Sequence, residues 1–132
     1  MRRKLLLCID GGNTNVVFAL FEEKAILCQW RLSTNSKRTA DEYAVWLTNL
    51  FKINNLSATD INAAAIANVV PRISFHLKDL CRRYFDCIPV CVESCLDVDI
   101  PVLIGSPTEV GADRLVNAVA AHQKYPGWLI II

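Results

Sequence analysis

The chain has 132 residues, a formal net charge of +1, and 53% hydrophobic against 20% charged residues. This composition suits a packed core and excludes an intrinsically disordered chain. The near-neutral charge gives no electrostatic basis for binding nucleic acid or an anionic membrane, and the length predicts one domain, or one domain and part of another.

The first part of the chain predicts three strands. Apolar runs cover residues 5–9, 16–21 and 25–32, and turn-forming residues separate them at 10–15 and 22–24. Strand, tight turn, strand, turn and strand in succession indicate an antiparallel meander.

Helices and strands alternate after the meander. Thr39 and Glu42 have the spacing of a capping box, and apolar residues recur at helical spacing from Tyr43 to Phe51. The apolar segment 61–70 predicts a buried strand. Pro71 fits the first turn of a second helix that reaches about residue 85, and a short strand follows at 88–92. These patterns predict an α/β fold with a mixed sheet.

The C-terminal part predicts an irregular segment at 93–107, a helix from Thr108 to about Lys124, and an apolar strand from Trp128 to Ile132. An apolar strand needs a neighbour to pair with. We therefore expect that the chain is shorter than its domain plan, with residues 1–107 forming a first domain and 108–132 opening a truncated second one.

Six cysteines allow two interpretations, a disulfide or metal framework and free thiols that act as small apolar residues. Cys87, Cys91 and Cys95 recur at every fourth position, but no Cys-x-x-Cys pair occurs. We favour free thiols. The apolar run before Asp10 is too short for a secretory signal or a membrane span, so we expect a cytoplasmic location.

The turn at 10–15 is the first candidate site. It consists of Asp10, Gly11, Gly12, Asn13, Thr14 and Asn15 between two apolar strands. Glycines allow positive φ and close approach of backbone N–H groups to an anion, and the neutral side chains add donors for phosphate oxygens. Asp10 cannot contact phosphate without repulsion, but it can hold hydrated Mg²⁺ that bridges phosphates. The alternative is an ordinary hairpin turn.

The second candidate is Gly111-Ala112-Asp113-Arg114, in the first turns of the last predicted helix. Asp113 could accept a proton from a substrate hydroxyl, and Arg114 could bind a carboxylate bidentately. The alternative is a solvated helix face. Glu109 is better explained as a first-turn acid that compensates the helix dipole.

These segments, taken in order with Asn68-Val69-Val70-Pro71 between them, resemble the type III pantothenate kinases. The resemblance implies a ribonuclease H-like domain of the acetate/sugar kinase, Hsp70 and actin superfamily, the first of two duplicated domains. It also implies that ATP phosphorylates pantothenate to 4′-phosphopantothenate, the first step toward coenzyme A. A non-catalytic regulatory half-domain, or another kinase of the superfamily, is the alternative.

The resemblance also implies roles for single residues. Asp10 to Val16 would form the phosphate loop, with Asp10 holding Mg²⁺ indirectly through water. Asp113 would be the general base within a pantothenate site that comprises Gly111, Ala112, Asp113 and Arg114. Members of the family are similar in being homodimers that need K⁺ or NH₄⁺ together with Mg²⁺, so the resemblance implies the same for this chain. The family's second phosphate motif and its monovalent-cation ligand have no counterpart in this sequence, so we expect the chain alone to be inactive. The Tyr that many members carry before Gly-Ala-Asp-Arg is likewise missing around Ile104.

Overall fold

The computed structural model of the chain describes residues 2–132, and this part contains a five-stranded sheet and three α-helices. The strands are β1 (Leu5–Gly11), β2 (Asn15–Glu22), β3 (Ala25–Ser33), β4 (Ile61–Asn68) and β5 (Val90–Val92), and the helices are α1 (Ala40–Ile53), α2 (Pro71–Tyr84) and α3 (Ala112–Lys124). Short 3₁₀ helices cover Ala58–Asp60, Cys95–Asp97 and Pro107–Glu109.

The sheet has the strand order β3-β2-β1-β4-β5. β1, β2 and β3 pair antiparallel, which confirms the predicted meander, whereas β4 is parallel to both β1 and β5. In the β1–β4 register Gly11 lies opposite Asn68, the last residue of β4. The carboxyl ends of β1 and β4 therefore meet at one edge of the sheet, where α/β proteins bind their ligands.

One face of the sheet forms the core with α1 and α2. Alternate residues of β1 and β2 point into it, and α1 contributes Tyr43, Leu47 and Phe51, all at most 1% exposed. Thr39 caps α1 with the predicted capping box: its Oγ1 accepts from the Glu42 backbone N–H, and the Glu42 carboxylate accepts from the Thr39 N–H. The spacing of apolar residues along α1 thus predicted the helix and its buried face.

The other face of the sheet is covered in part by α3, which contacts β4. Small and apolar side chains, including Cys8, Ala19, Ala65 and Val116, line a cavity of about 440 Å³ between helix and sheet. Only Ala112 and Leu115 of α3 are buried.

Two predictions for the C-terminal part are wrong. α3 begins at Ala112 rather than Thr108, because Pro107–Glu109 forms a 3₁₀ helix and Gly111 is extended (φ −64°, ψ 147°). Glu109 therefore lies outside the first turn of α3. Residues 128–132 form no strand, since no strand of the described chain lies beside them to accept and donate hydrogen bonds. The division at residue 107 stays a prediction.

All six cysteines carry free thiols, as we favoured from the sequence. Within residues 2–132, no three His, Cys, Asp or Glu side chains are grouped closely enough to hold a metal ion. The same stretch has no helix with the length and apolar character needed to cross a membrane.

Candidate functional site

The turn between β1 and β2 has its polar side chains free for a ligand. The Gly12 N–H donates to the Asn15 carbonyl over 3.0 Å, which closes the turn. Asn13 and Thr14 are exposed, and within residues 2–132 the side chains of Asn13, Thr14 and Asn15 make no hydrogen bond. A row of unpaired amide and hydroxyl groups on a rigid hairpin can bind an anion without first breaking protein contacts.

The two glycines of this turn are needed for space rather than for positive φ. The expectation of positive φ is wrong for both, since Gly127 is the only glycine of the described chain in that region. A Cβ on Gly11 would overlap the Asn68 side-chain oxygen and lie 3.0 Å from Asn68 Cγ, and a Cβ on Gly12 would lie 3.0 Å from the Asn15 carbonyl oxygen. A side chain at Gly11 would therefore require Asn68 to move, and one at Gly12 would require the Asn15 carbonyl to shift slightly.

Thr34, just after β3, supports the hairpin and was missed in the sequence. Its Oγ1 donates to the Gly12 carbonyl over 2.6 Å, and its N–H donates to the Thr14 carbonyl over 2.9 Å. In the sequence it falls between the predicted strand at 25–32 and the cap at Thr39, and nothing local links it to the turn. Only the register of β2 with β3, which pairs Asn15 with Ser33, brings it to the turn.

Val16 and Ala112 were predicted to bind ligands, but both side chains lie in the protein interior. Val16 is 0% exposed and Ala112 is 1% exposed. Any contact that they make with a ligand would therefore come from the backbone.

The start of α3 presents the second motif. The Gly111 carbonyl accepts from the N–H groups of Arg114 and Leu115, at 3.1 and 3.2 Å. The Asp113 carboxylate accepts from the Arg114 N–H over 2.8 Å and leaves its second oxygen free of protein hydrogen bonds within residues 2–132. Arg114 is exposed and forms no ion pair in the described chain. A carboxylate and a guanidinium thus stand at a helix N-terminus, ready for a polar substrate.

The structure brings the two motifs together. Partial loss of hydration, and then the negative charge of nearby Asp113, raise the pKa of Asp10 above its ordinary value. The residue still exposes part of its surface to solvent. Neither carboxylate has a basic partner in the described chain. Two close carboxylates without a counter-charge suit a divalent cation with oxygen ligands, so the site fits Mg²⁺.

A cleft of about 290 Å³ lies between the start of α2 and the start of α3. Its walls include Val69, Ser74, Glu93 and Gly111. The first turn of α2 contains no acidic residue, so its N-terminus favours an anion, whereas the first turn of α3 carries Asp113. Hydrogen bonds from Lys78 and Ser74, both 2.9 Å, lower the pKa of Glu93, so its charge is already neutralised.

The fold and the site first define the structural class to which the chain belongs. The mixed sheet of five strands with three helices confirms the predicted α/β class, and the hairpin site lies at the carboxyl end of β1. YeaZ from Pseudomonas aeruginosa is similar, with a TM-score of 0.50 and 13% identity over 69% of this chain and 44% of that one. A Bacteroides thetaiotaomicron protein of actin-like ATPase fold and unknown function has a TM-score of 0.46 and 7% identity, over 67% of this chain and 33% of its own.

Sequence comparison then gives the family. The family model of type III pantothenate kinase matches residues 6–132, and the chain belongs to this family. Type III pantothenate kinases from Paramagnetospirillum magneticum, Rhodospirillum rubrum and Phenylobacterium zucineum are 55%, 53% and 45% identical over 97% of this chain. The chain spans about half the length of these curated relatives, 50% in each case.

Proposed function

We propose that this chain provides the N-terminal half of a cytoplasmic, homodimeric kinase that transfers the γ-phosphate of ATP to pantothenate, the first step of coenzyme A biosynthesis. The observation that carries the proposal is the meeting of the two motifs at Val69, whose N–H donates to the Gly11 carbonyl over 2.9 Å and whose Cγ1 would lie 3.4 Å from a Cβ on Gly111. A phosphate site and a hydroxyl-activating carboxylate must be neighbours for phosphoryl transfer.

The β1–β2 hairpin holds the nucleotide phosphates. Asn13, Thr14 and Asn15 donate to phosphate oxygens, and Gly11 and Gly12 keep the backbone open to close approach. Asp10 holds Mg²⁺ through water. When bound, Mg²⁺ would neutralise charge on the phosphates, and K⁺ or NH₄⁺ would be the accompanying monovalent cation.

The start of α3 holds pantothenate. Arg114 pairs with the substrate carboxylate, and Asp113 accepts the proton of the substrate hydroxyl. That hydroxyl oxygen forms a bond to the γ-phosphorus as the bond to the β–γ bridging oxygen breaks, so ADP leaves with the electron pair and the proton stays on Asp113. The cleft beside Gly111 gives the rest of the substrate room.

The chain alone is expected to bind MgATP weakly and to turn over little or no pantothenate. Transfer needs groups on both sides of the phosphates, and the chain covers half of its relatives' length. Calorimetry with the purified chain tests the binding step. Asp10→Ala should abolish MgATP binding, whereas Asp99→Ala, an exposed carboxylate, should not change it.

A chimera tests the chemistry. Residues 1–132 would be joined to the second half of the Paramagnetospirillum magneticum relative, whose first half this chain matches at 55% identity. We expect turnover of about 1–100 s⁻¹ and a loss of about 10²–10⁴ for Asp113→Asn. Unchanged turnover in Asp113→Asn, with an active parent chimera and an Asp99→Asn control, would refute the base role. Kinase-like turnover by the isolated chain would refute its expected inactivity.

A further inference from the structure

Asn68 is an unusual residue in this fold because its polar side chain is buried. It is 6% exposed, and apart from the hydroxyl of Tyr43 and the thiol of Cys81, which belong to the hydrophobic core, no other polar or charged side chain within 2–132 is buried. It ends β4 beside Gly11 and precedes α2. A buried amide is retained only where its hydrogen bonds are satisfied, so its partners show what it holds in place.

Both halves of the Asn68 amide bind the same residue. Nδ2 donates to the Val70 carbonyl and Oδ1 accepts from the Val70 N–H, each over 2.9 Å. This pair of bonds fixes the amide orientation, since a flipped amide would place donor against donor and acceptor against acceptor. Asp could not replace it, because a carboxylate has no donor for the carbonyl.

The Asn68–Val70 turn touches the hairpin on one side. The Asn68 side chain fills the place where Gly11 would carry a Cβ, and the Val69 N–H donates to the Gly11 carbonyl over 2.9 Å. Gly11 is therefore held by a hydrogen bond and by a close steric fit at once.

The same turn touches the start of α3 on the other side. A Cβ on Gly111 would lie 3.4 Å from Val69 Cγ1 and 2.7 Å from Asp113 Oδ1. Val69 thus contacts Gly11 of the hairpin on one side and lies beside Gly111, just before α3, on the other. A shift of this turn would move Gly11 relative to Asp113.

We infer that Asn68 is a positioning residue: through the Asn68–Val70 turn it sets the distance between the phosphate hairpin at Gly11 and the Asp113 carboxylate at the start of α3. The contacts of Asn68 and Val69 are observed in the structure, whereas the consequence for nucleotide binding rests on the proposed function. Asn68 also lines the cleft beside Gly111, but the role inferred here is indirect. Its effect passes through the Gly11 carbonyl and the Val69 side chain.

Amide hydrogen exchange in the 132-residue chain tests the contact. Asn68→Ala should speed exchange at the Val69 N–H at least about fivefold, because the turn that holds Val69 loses both hydrogen bonds between the Asn68 amide and Val70. Asn62→Ala, an exposed Asn on the same strand, should leave that rate unchanged. Leu80→Ala, a core truncation in α2, should destabilise the chain without a selective effect at Val69. Exchange at Val69 in Asn68→Ala that matches the wild type would overturn the inference.

A pair of substitutions tests the steric fit. Gly11→Ala should unfold or strongly destabilise the chain, because its Cβ would overlap the Asn68 side chain. Adding Asn68→Gly removes the obstructing atoms and should restore part of the lost stability. A double variant no more stable than Gly11→Ala would contradict the close fit. Should Asn68→Ala fail to fold, Asn68→Ser, with a smaller polar side chain, is measured in the same way.

MgATP affinity separates positioning from mere stability. Asn68→Ala should bind MgATP at least about fivefold more weakly than the wild type, while folded Leu80→Ala binds normally. An equal loss in both variants would reduce Asn68 to a structural role and overturn the inference. If even the wild type binds no MgATP while the exchange pattern is as expected, the proposed function fails and the positioning of Gly11 by Asn68 stands.

Discussion

Tyr43→Phe should stabilise the protein. Tyr43 is 0% exposed, and its hydroxyl is the one buried side-chain polar atom in residues 2–132 without a hydrogen-bond partner. The Arg38 guanidinium lies over the ring, 5.6 Å from its centroid, and its charge partly offsets the effect of burial on the pKa of Tyr43, but the hydroxyl has no partner at hydrogen-bond distance and angle. An unsatisfied buried hydroxyl costs about 1–3 kcal/mol, whereas the Phe ring keeps the contact with Phe18.

We expect a gain of about 1 kcal/mol in the free energy of unfolding, or a rise of about 4 °C in Tm. The gain should grow at alkaline pH. Burial raises the pKa of Tyr43, so its contribution to stability is present below the ordinary tyrosine pKa and is lost as the pH rises through the folded-state value. The Phe variant has no such loss.

Urea unfolding near pH 7 and again above about pH 10 measures both effects. Tyr125→Phe is the matched control, since Tyr125 is 50% exposed and its change should be within about 0.5 kcal/mol. Destabilisation by Tyr43→Phe of more than about 1 kcal/mol would show that the hydroxyl has a partner and would refute the reasoning.

Three further predictions concern the cap, a thiol and the hairpin carboxylate. Thr39→Ala should lower the free energy of unfolding by about 1 kcal/mol, measured by urea denaturation, because the α1 cap is lost. Cys81 should resist iodoacetamide in the native chain, as seen by mass spectrometry, because burial is the main cause that raises its pKa to about 12; in denaturant it should react like the others. Asp10→Asn should raise Tm near neutral pH and weaken MgATP binding. Since the pKa of Asp10 is raised, the Tm gain should disappear as the pH falls below the ordinary Asp pKa.

The sequence predicted most of the fold because the signals for it are local. Alternating apolar residues, a capping box at Thr39 and Pro71 at the start of α2 each report a preference of a few neighbouring residues. The failures lie where local signals compete. Thr108 is a good helix N-cap, but Pro107 directs it into a 3₁₀ helix and the extended Gly111 delays the start of α3.

The candidate site was predictable only in part, for the same reason. The polar turn and the Gly111–Arg114 motif are visible in the sequence, but the groups that hold them are distant along the chain. Thr34 reaches the turn through the β2–β3 register, and Asn68 reaches Gly11 through the β1–β4 register. The sequence also assigned the wrong reason to Gly11, because the obstructing atoms belong to a strand many residues away.

The raised pKa of Asp10 connects stability to the proposed chemistry. In the protein alone, partial burial and the charge of Asp113 make the ionised Asp10 carboxylate unfavourable, so the fold is less stable with it than without it. A divalent cation at Asp10 would remove that repulsion, since it supplies the counter-charge that the described chain lacks. A ligand that relieves native-state repulsion stabilises the native state. The proposed Mg²⁺ site therefore predicts that MgATP raises Tm more in the wild type than in Asp10→Asn, and equal shifts in the two proteins would argue against metal binding at this carboxylate.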